Sequence, residues 1–431
     1  MTDTRTRRID HIAKNKRIIG FVYALTDYLI FALIMLIIFD LTFNTLGKWL
    51  SDALASGLSL IRQLLNIALL NADINPAFRD LIINGICPGV GSVLSFIPII
   101  AVLFLLLGIL QESGYMSKAA AIMDRPLRRL GLSGGCVIPL VTGFGCAVPA
   151  IMSAASLPSC PECTSYTAGR LRFPVSPCSQ KTVTVRLIPF MSCSARLPVY
   201  AMFISCFFPD HRITALLGIY SAGILSAVCT AFIANSFRNP GFVSNRISEQ
   251  HLQYHLPDMN AVLSLVSDNV KGFIKKAFTV IFTASVLVWY LQSYSFNMQP
   301  ASDISESMLA ILGKTVSPIF EPLGFGDWRA ASAVIAGLSA KEAIISTFVV
   351  TSSMPNQSLF GTLTEIFTPL SAFSFMLFCL LYMPCIATLC AVRNVTGSWK
   401  ESVYMPISHL IIAWCVSFAV YNVGTFIISL I

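Results

Sequence analysis

Gly143-Phe144-Gly145-Cys146-Ala147-Val148-Pro149-Ala150 stands at the centre of an apolar run from 132 to 157. Such a run is long enough to cross a bilayer, for which roughly 18 to 25 residues suffice. Two glycines and a proline around a cysteine cannot make a good helix. Backbone groups freed by a break in lipid must be satisfied by neighbouring protein, water or an ion. The stretch therefore reads as a broken membrane helix that exposes carbonyls and a sulfur to a cavity. A tolerated kink is the plainer alternative.

Two further stretches repeat the logic. Pro189-Phe190-Met191-Ser192-Cys193-Ser194-Ala195-Arg196-Leu197-Pro198 places a Ser/Cys-rich turn and a charge between two prolines inside the run 187–209. Tyr382-Met383-Pro384-Cys385-Ile386-Ala387-Thr388 breaks the run 367–392. Broken spans of this kind form the solute site near the midplane in transporters. Thiolate and thioether donors suit late or borderline transition metals better than Na⁺ or Mg²⁺. Cys146, Cys193 and Cys385 are thus candidate metal ligands, with inert buried thiols as the structural alternative. Gly143, Gly145, Pro149, Pro189 and Pro384 are the candidate gating positions.

The rest of the chain agrees with a membrane setting. Of 431 residues, 55% are hydrophobic and 12% charged, against roughly 25% charged in soluble domains. Mean hydropathy is +0.74. These proportions exclude a soluble enzyme filling the chain. Nine apolar runs are long enough to span: 18–39, 93–110, 132–157, 187–209, 213–234, 277–299, 330–354, 367–392 and 404–431. The fold class expected is an all-α polytopic membrane protein of about 8–10 transmembrane helices, with broken or re-entrant segments. Residues 46–70 and 308–320 have apolar spacing of three and four and read as interfacial helices.

The net charge of +8 is concentrated beside the runs. Arg5, Arg7, Arg8, Lys14, Lys16 and Arg17 precede the first, and Lys118, Arg125, Arg128 and Arg129 follow the second. Both sets read as cytoplasmic, which explains the basic balance without nucleic acid. Most of the thirteen cysteines lie in apolar stretches, so a disulfide framework is not expected. The polar first 17 residues and the long first run do not make a cleavable signal.

The organisation read from this is a basic cytoplasmic arm (1–17), a first membrane half (18–236), a polar linker (237–276) and a second membrane half (277–431). The halves carry a weak repeat. Gly143 and Gly337 are 194 residues apart, Pro189 and Pro384 are 195 apart, and Leu130-Gly131 pairs with Leu323-Gly324 at nearly the same offset.

Charges within the runs are costly unless paired or hydrated, so each marks a functional candidate. Glu112 closes the second run, Arg196 lies in the fourth, and Lys341-Glu342 lie in the seventh. Adjacent helical residues point about 100° apart, so Lys341 and Glu342 cannot easily pair with each other. At least one should face a pathway, or a partner such as Arg196 or Glu112. Structural ion pairs are the alternative. The histidines (His11, His211, His251, His255, His409) are read mostly as loop residues. None stands in a plausible triad, and an enzyme is the poorest reading.

The motifs resemble the membrane domain of the bacterial ferrous iron transport protein B family. Gly-Phe-Gly-Cys-x-Val-Pro-Ala and Pro-Phe-Met-Ser-Cys-x-Ala-Arg-Leu-Pro-Val-Tyr carry the likeness. Glu112-Ser113-Gly114-Tyr115-Met116, Gly324-Phe325-Gly326-Asp327-Trp328-Arg329, Ala340-Lys341-Glu342, Pro384-Cys385-Ile386-Ala387-Thr388 and Thr396-Gly397-Ser398-Trp399 follow in family order. The resemblance implies Fe²⁺ as transported ion and a multi-pass protein of the cytoplasmic (inner) membrane. Cys146, Cys193, Cys385, Glu112 and Glu342 would lie on the ion path, and Arg196 and Lys341 would tune gating. It also implies the bilayer and a separate GTPase chain or small cytosolic iron-transport protein as partners, and leaves a homo-oligomer open.

Three departures stand out. The family's Gly-x-x-x-x-Gly-Lys-Ser/Thr phosphate loop does not occur here, so this chain is expected to bind no nucleotide and to lack its own GTPase domain. Ala147 stands where the family has Asn. The segment 157–184 carries Cys160, Cys163 and Cys178 in place of a shorter basic linker, and reads as an insertion or aberrant segment rather than a four-ligand zinc site. A gate-type permease for a nucleoside, or a non-transporting membrane sensor, remains as an alternative. A nucleoside site should offer Asn, Gln and aromatic groups, where the breaks offer Cys, Ser and Met.

Overall fold

The computed structural model describes residues 30, 33–34, 37–38, 40–71, 76–157, 180–236, 256–297, 299–301, 303–352, 359–382 and 385–430. The basic arm 1–17, most of the run 18–39, the linker 237–255, the cysteines Cys160, Cys163 and Cys178, and Pro384 fall outside the described residues.

The described residues are helical, and two sets of helices follow one plan. The first half has α1 (Leu46–Asn71), α2 (Cys87–Glu112), α3 (Tyr115–Arg129), the pair α4 (Val137–Gly145) and α5 (Ala147–Ser153), then α6 (Gln180–Leu187), α7 (Leu197–Phe207) and α8 (Arg212–Ser236). The second has α9 (Met259–Ser293), α10 (Met308–Phe320), the pair α11 (Trp328–Ala336) and α12 (Ala343–Thr351), then α13 (Leu359–Ile366), α14 (Pro369–Leu381), α15 (Ile386–Thr396) and α16 (Trp399–Leu430).

The repeat read from the sequence is visible in the turns. Leu130-Gly131 follows α3 and Leu323-Gly324 follows α10. Both glycines sit at positive φ, 75° and 87°, a conformation that a side chain disfavours. Each half thus runs long helix, shorter helix, Leu-Gly turn, broken pair, second broken pair. The long helices α2 and α9 pack along each other.

Helix starts follow local chemistry. Ser307 accepts from the Ala310 N–H at 3.2 Å to open α10. Asp327 accepts from the Arg329 N–H at 2.7 Å to open α11. Thr368 and Ser371 form a reciprocal box at the start of α14. Each satisfies donors that a helix N-terminus leaves orphaned. At Ser113-Gly114 the chain bends by 80° between α2 and α3. Beyond the bend α3 buries Met116, Ala119, Ala120 and Leu127, while Arg125 and Arg129 face outward.

The core lies where the halves meet. Phe203 of α7 contacts Phe348 of α12 and Phe375 of α14, with ring centroids 5.9 and 5.1 Å apart. Phe325 and Phe378 extend the cluster. Such ring pairs add about 0.5–1.5 kcal/mol each beyond their burial.

The periphery is the reverse of a soluble surface. Leu64 on α1, Ile213 and Phe232 on α8, and Phe426 on α16 are each more than 60% exposed. These helices are dressed for lipid. Among the described residues four helical segments are long and apolar enough to cross a membrane: α1, α8, α14 with α15, and α16. The bent α2–α3 pair makes a fifth. The runs 132–157, 187–209 and 330–354 resolve into short helices on either side of breaks.

The segment 46–70, read as interfacial, is part of a 26-residue helix that is long and apolar enough to span and packs along α2. Its polar residues Ser59, Arg62, Gln63 and Asn66 line a cavity of about 500 Å³ with Arg79 and Asp80. In contrast α10, at 13 residues, is about 20 Å long and too short to span. The last part of the polar stretch 237–276 is helical, from Met259 onward.

Candidate functional site

Four breaks are brought together, two from each half. At the first, Pro149 forces the interruption, because its ring would clash with the carbonyl four residues back, at Gly145. Cys146 becomes a single extended residue, φ −152° and ψ 132°, between α4 and α5. Its N–H still donates to the Thr142 carbonyl at 3.1 Å, and its carbonyl accepts from the Ala150 N–H at 3.3 Å. A side chain on Gly145 would meet Leu103 of α2, and one on Gly143 would meet Ile188 and Met191 at 3.3–3.4 Å. These glycines let the neighbouring elements close on the break.

The second break runs from a tight turn at Ile188–Phe190, through Met191, Ser192 and Cys193, to the turn Ser194–Arg196. Arg196 is 3% exposed. Its Nη1 donates to the carbonyls of Pro189 at 3.2 Å and Met191 at 3.3 Å, while its Nε is buried without a hydrogen-bond partner. The chain is extended at Met191, so those carbonyls face no helical N–H, and the guanidinium supplies the missing donors.

The third break spans residues 337–342, between α11 and α12. Lys341 and Glu342 therefore lie in a turn, not on a helix as their run suggested. The Lys341 ammonium sits over the Tyr382 ring, 3.2 Å from its centroid. A side chain on Gly337 would strike the Tyr382 hydroxyl, which donates to the Val334 carbonyl at 3.4 Å. At the fourth break the Ile386 N–H donates to the Leu338 carbonyl at 3.2 Å. The Cys385 Sγ lies 3.1 Å from the Thr388 hydroxyl.

Cys146, Cys193 and Cys385 lie within electrostatic reach of one another. Lys341 is within electrostatic reach of Arg196, Cys193, Cys379 and Cys385. The three cysteines and two cations singled out in the sequence thus share one locus. Cys379 of α14 belongs with them and was not foreseen. Among the described residues no three His, Cys, Asp or Glu side chains stand close enough to hold a metal ion. Glu112 lies at the α2–α3 corner, nine residues beyond Leu103, or about 13 Å further along the helix. Glu342 opens α12, half-buried.

A second set of residues escaped the sequence reading. His409 is not in a loop but in the interior of α16, 2% exposed. One ring nitrogen, Nε2, lies 3.0 Å from the Arg186 carbonyl, and the ring packs 4.3 Å from Phe190. Arg186 in turn makes a forked pair with Glu401, at 2.8–3.1 Å, and covers Tyr404. A signal existed: Glu401, Met405, His409, Ala413 and Ser417 recur every four residues and form the buried stripe of α16. A Glu and a His on such a stripe require partners.

The family model described as "Gate: Nucleoside recognition" matches residues 93–207 and 274–399, one match in each half. The chain is 36% identical over 406 residues to the Fe(2+) transporter FeoB of Staphylococcus aureus, covering 92% of this chain and 57% of that protein. It is 33% identical to the Fe(2+) transporter FeoB of Methanocaldococcus jannaschii, over 81% of this chain and 50% of that one. It is 31% identical to a Fe(2+) transport protein A/Fe(2+) transporter FeoB fusion protein of Porphyromonas gingivalis, over 98% of this chain and 52% of the fusion. The chain therefore spans about half the length of these curated relatives. No solved structure matches it.

Proposed function

The chain belongs to the gate family, and from that premise we propose that it carries ferrous iron across a membrane through the junction of its four breaks. One observation carries the reading: cysteines from three separate breaks lie within reach of one another. The chain that holds them is similar to Fe(2+) transporters over most of its length. Sulfur donors suit a borderline cation such as Fe²⁺. The absence of three assembled ligands among the described residues fits passage better than storage, since an ion in transit must also leave.

In this reading Cys146 and Cys193 receive the ion and Cys385 assists. Arg196 and Lys341 act as the gate. Buried positive charge beside the thiols opposes the entry of a divalent ion. The arrangement described is then the closed one, and opening requires Arg196 or Lys341 to move. Glu342 and Glu112 offer carboxylates on the approaches. Inward transport is favoured by the membrane potential, about 2.3 kcal/mol per charge per 100 mV. The fused relative combines a transport protein A with its transporter. A small iron-transport protein or a GTPase docking on a basic cytoplasmic face is the partner we infer, with the N-terminus on that side in the inner membrane.

The test is uptake of radiolabelled Fe²⁺ into vesicles. Cys146→Ser and Cys193→Ser are each expected to slow uptake at least tenfold. Uptake at the parental rate in both variants overturns the ligand roles. The nucleoside reading draws on the family model's description, but the junction presents thiols and cations rather than amides. Competition of uptake by nucleosides would revive it.

A further inference from the structure

α1 carries two unlike sets of residues on the same turns. Leu60, Ile61, Leu64 and Ile67 are each more than half exposed and suit lipid. Interleaved with them, Ser59, Arg62, Gln63 and Asn66 line the cavity of about 500 Å³ that α1 shares with Arg79 and Asp80. Arg62 stands nine residues before the end of the helix at Asn71, or about 13 Å along it. A helix of 26 residues is about 39 Å long, so a hydrocarbon core of about 30 Å begins roughly 5 Å from each end. Arg62 is therefore rooted below headgroup level, where a charge marks a functional candidate. Arg79 and Asp80 lie on the returning limb, at the end of the short helical stretch Pro76–Asp80. From there to α2 the chain winds as a π-helix, Leu81–Ile86, a wide turn that recurs at functional sites. Ile83 of that turn joins the cavity lining. Gly85 of the same turn backs onto α9, where a side chain would meet the Trp289 ring at 2.9 Å.

Charge and donors define what fits. Arg62 and Arg79 bring two positive charges to the lining and Asp80 one negative, which leaves one positive in excess. Guanidinium groups bind phosphate oxygens through paired N–H donors. A phosphodiester carries a single negative charge, which this lining balances, whereas a phosphomonoester carries about −1.5 to −2 at neutral pH. Ser59, Gln63 and Asn66 add neutral donors and acceptors, and the Asp80 carboxylate accepts from hydroxyl groups. The volume falls within the roughly 300–1,000 Å³ of small-molecule sites. The lipid-facing side chains beside the cavity suit acyl chains.

We propose that this cavity holds the headgroup of an anionic phospholipid, with its phosphodiester between Arg62 and Arg79 and a polyol head against Asp80 and the amides. The proposal stands apart from the iron reading, since nothing in it passes through the junction. It is tested by native mass spectrometry on the full chain in a mild detergent, with phosphatidylglycerol, phosphatidylcholine or phosphatidylethanolamine offered in turn. One phosphatidylglycerol per chain is expected to be retained, about tenfold more tightly than phosphatidylcholine. Arg79→Gln should weaken that retention about tenfold, because it removes a charge-assisted pair. Asp80→Asn should tighten it severalfold, an opposite sign that misfolding cannot produce. Arg125→Gln, which removes the same charge from the outer face of α3, should leave it unchanged. Equal retention of phosphatidylglycerol and phosphatidylcholine, or an equal loss in Arg125→Gln, overturns the site. Inorganic phosphate raising the unfolding midpoint as much as phosphatidylglycerol overturns the lipid in favour of free phosphate. Stronger retention of phosphatidylethanolamine puts an amine on Asp80 and overturns the polyol head.

Discussion

In the first half, the carbonyls freed at Pro189 and Met191 are met by the guanidinium of Arg196, and the turn that carries them is gripped from outside. Arg186 pairs with Glu401, and His409 packs on Phe190, both from α16. That helix lies almost wholly beyond the stretch matched by the gate model, which ends at 399. In the second half the two breaks hold each other. The Ile386 N–H reaches the Leu338 carbonyl, and the Tyr382 hydroxyl reaches that of Val334. Side-chain charges can be moved by an approaching ion or a neighbouring charge, whereas a backbone bond yields only when the fold moves. The second break is built as the part that gives, and the backbone link between the third and fourth breaks as the frame.

The most severe challenge to this contrast is Arg196→Ala. It removes two charge-assisted hydrogen bonds and leaves two buried carbonyls without partners, for a loss of about 4 kcal/mol. The unfolding midpoint in detergent should fall furthest here. The second break should also loosen, so that Cys193 reacts with a water-soluble thiol reagent much faster than in the parent. Unchanged Cys193 reactivity in a folded variant would place the mobile part elsewhere.

Glu401→Gln comes next. Breaking a largely buried ion pair from one side strands the other charge, here Arg186, at a cost of about 3 kcal/mol. The doubly substituted Arg186→Met, Glu401→Leu chain should regain most of that stability but not the transport rate, if α16 positions the second break. Recovery of both would reduce the pair to a packing device.

These pairs also mark what the sequence could and could not reveal. Three of the four breaks were legible because glycine and proline act locally: Pro149 interrupts its own helix four residues back, whatever surrounds it, whereas the break at 337–342 has no proline and its run read as helix. The Leu-Gly turns were legible for the same reason. The grip of α16 joins residues 215 and 223 positions apart, and no local rule announces such a meeting. Lys341 shows the same limit. Its charge called for a pathway or a partner, and the ring of Tyr382 lies under it. Aromatic faces attract cations without looking polar in a sequence.

Tyr382→Leu probes the frame. It removes the ring beneath Lys341 and the hydroxyl bonded to Val334, together worth about 2 kcal/mol. The backbone bond between Ile386 and Leu338 remains. Stability should therefore drop by less than with Arg196→Ala, and Cys385 should stay as slow to react with thiol reagents as in the parent. A rise in Cys385 reactivity matching that of Cys193 in Arg196→Ala would erase the distinction between the break that gives and the frame.

The smallest effect sharpens the contrast by dividing the grip of α16 into its components. His409→Phe keeps an aromatic ring against Phe190 and gives up the contact with the Arg186 carbonyl, a loss of about 1 kcal/mol. His409→Ala gives up both. If the ring holds the turn, uptake of Fe²⁺ is retained in the Phe variant and lost in the Ala variant. If the hydrogen bond to Arg186 holds it, the two variants fall together. The second outcome would tie the turn to the Arg186–Glu401 pair, because the same arginine then anchors α16 through both its side chain and its carbonyl.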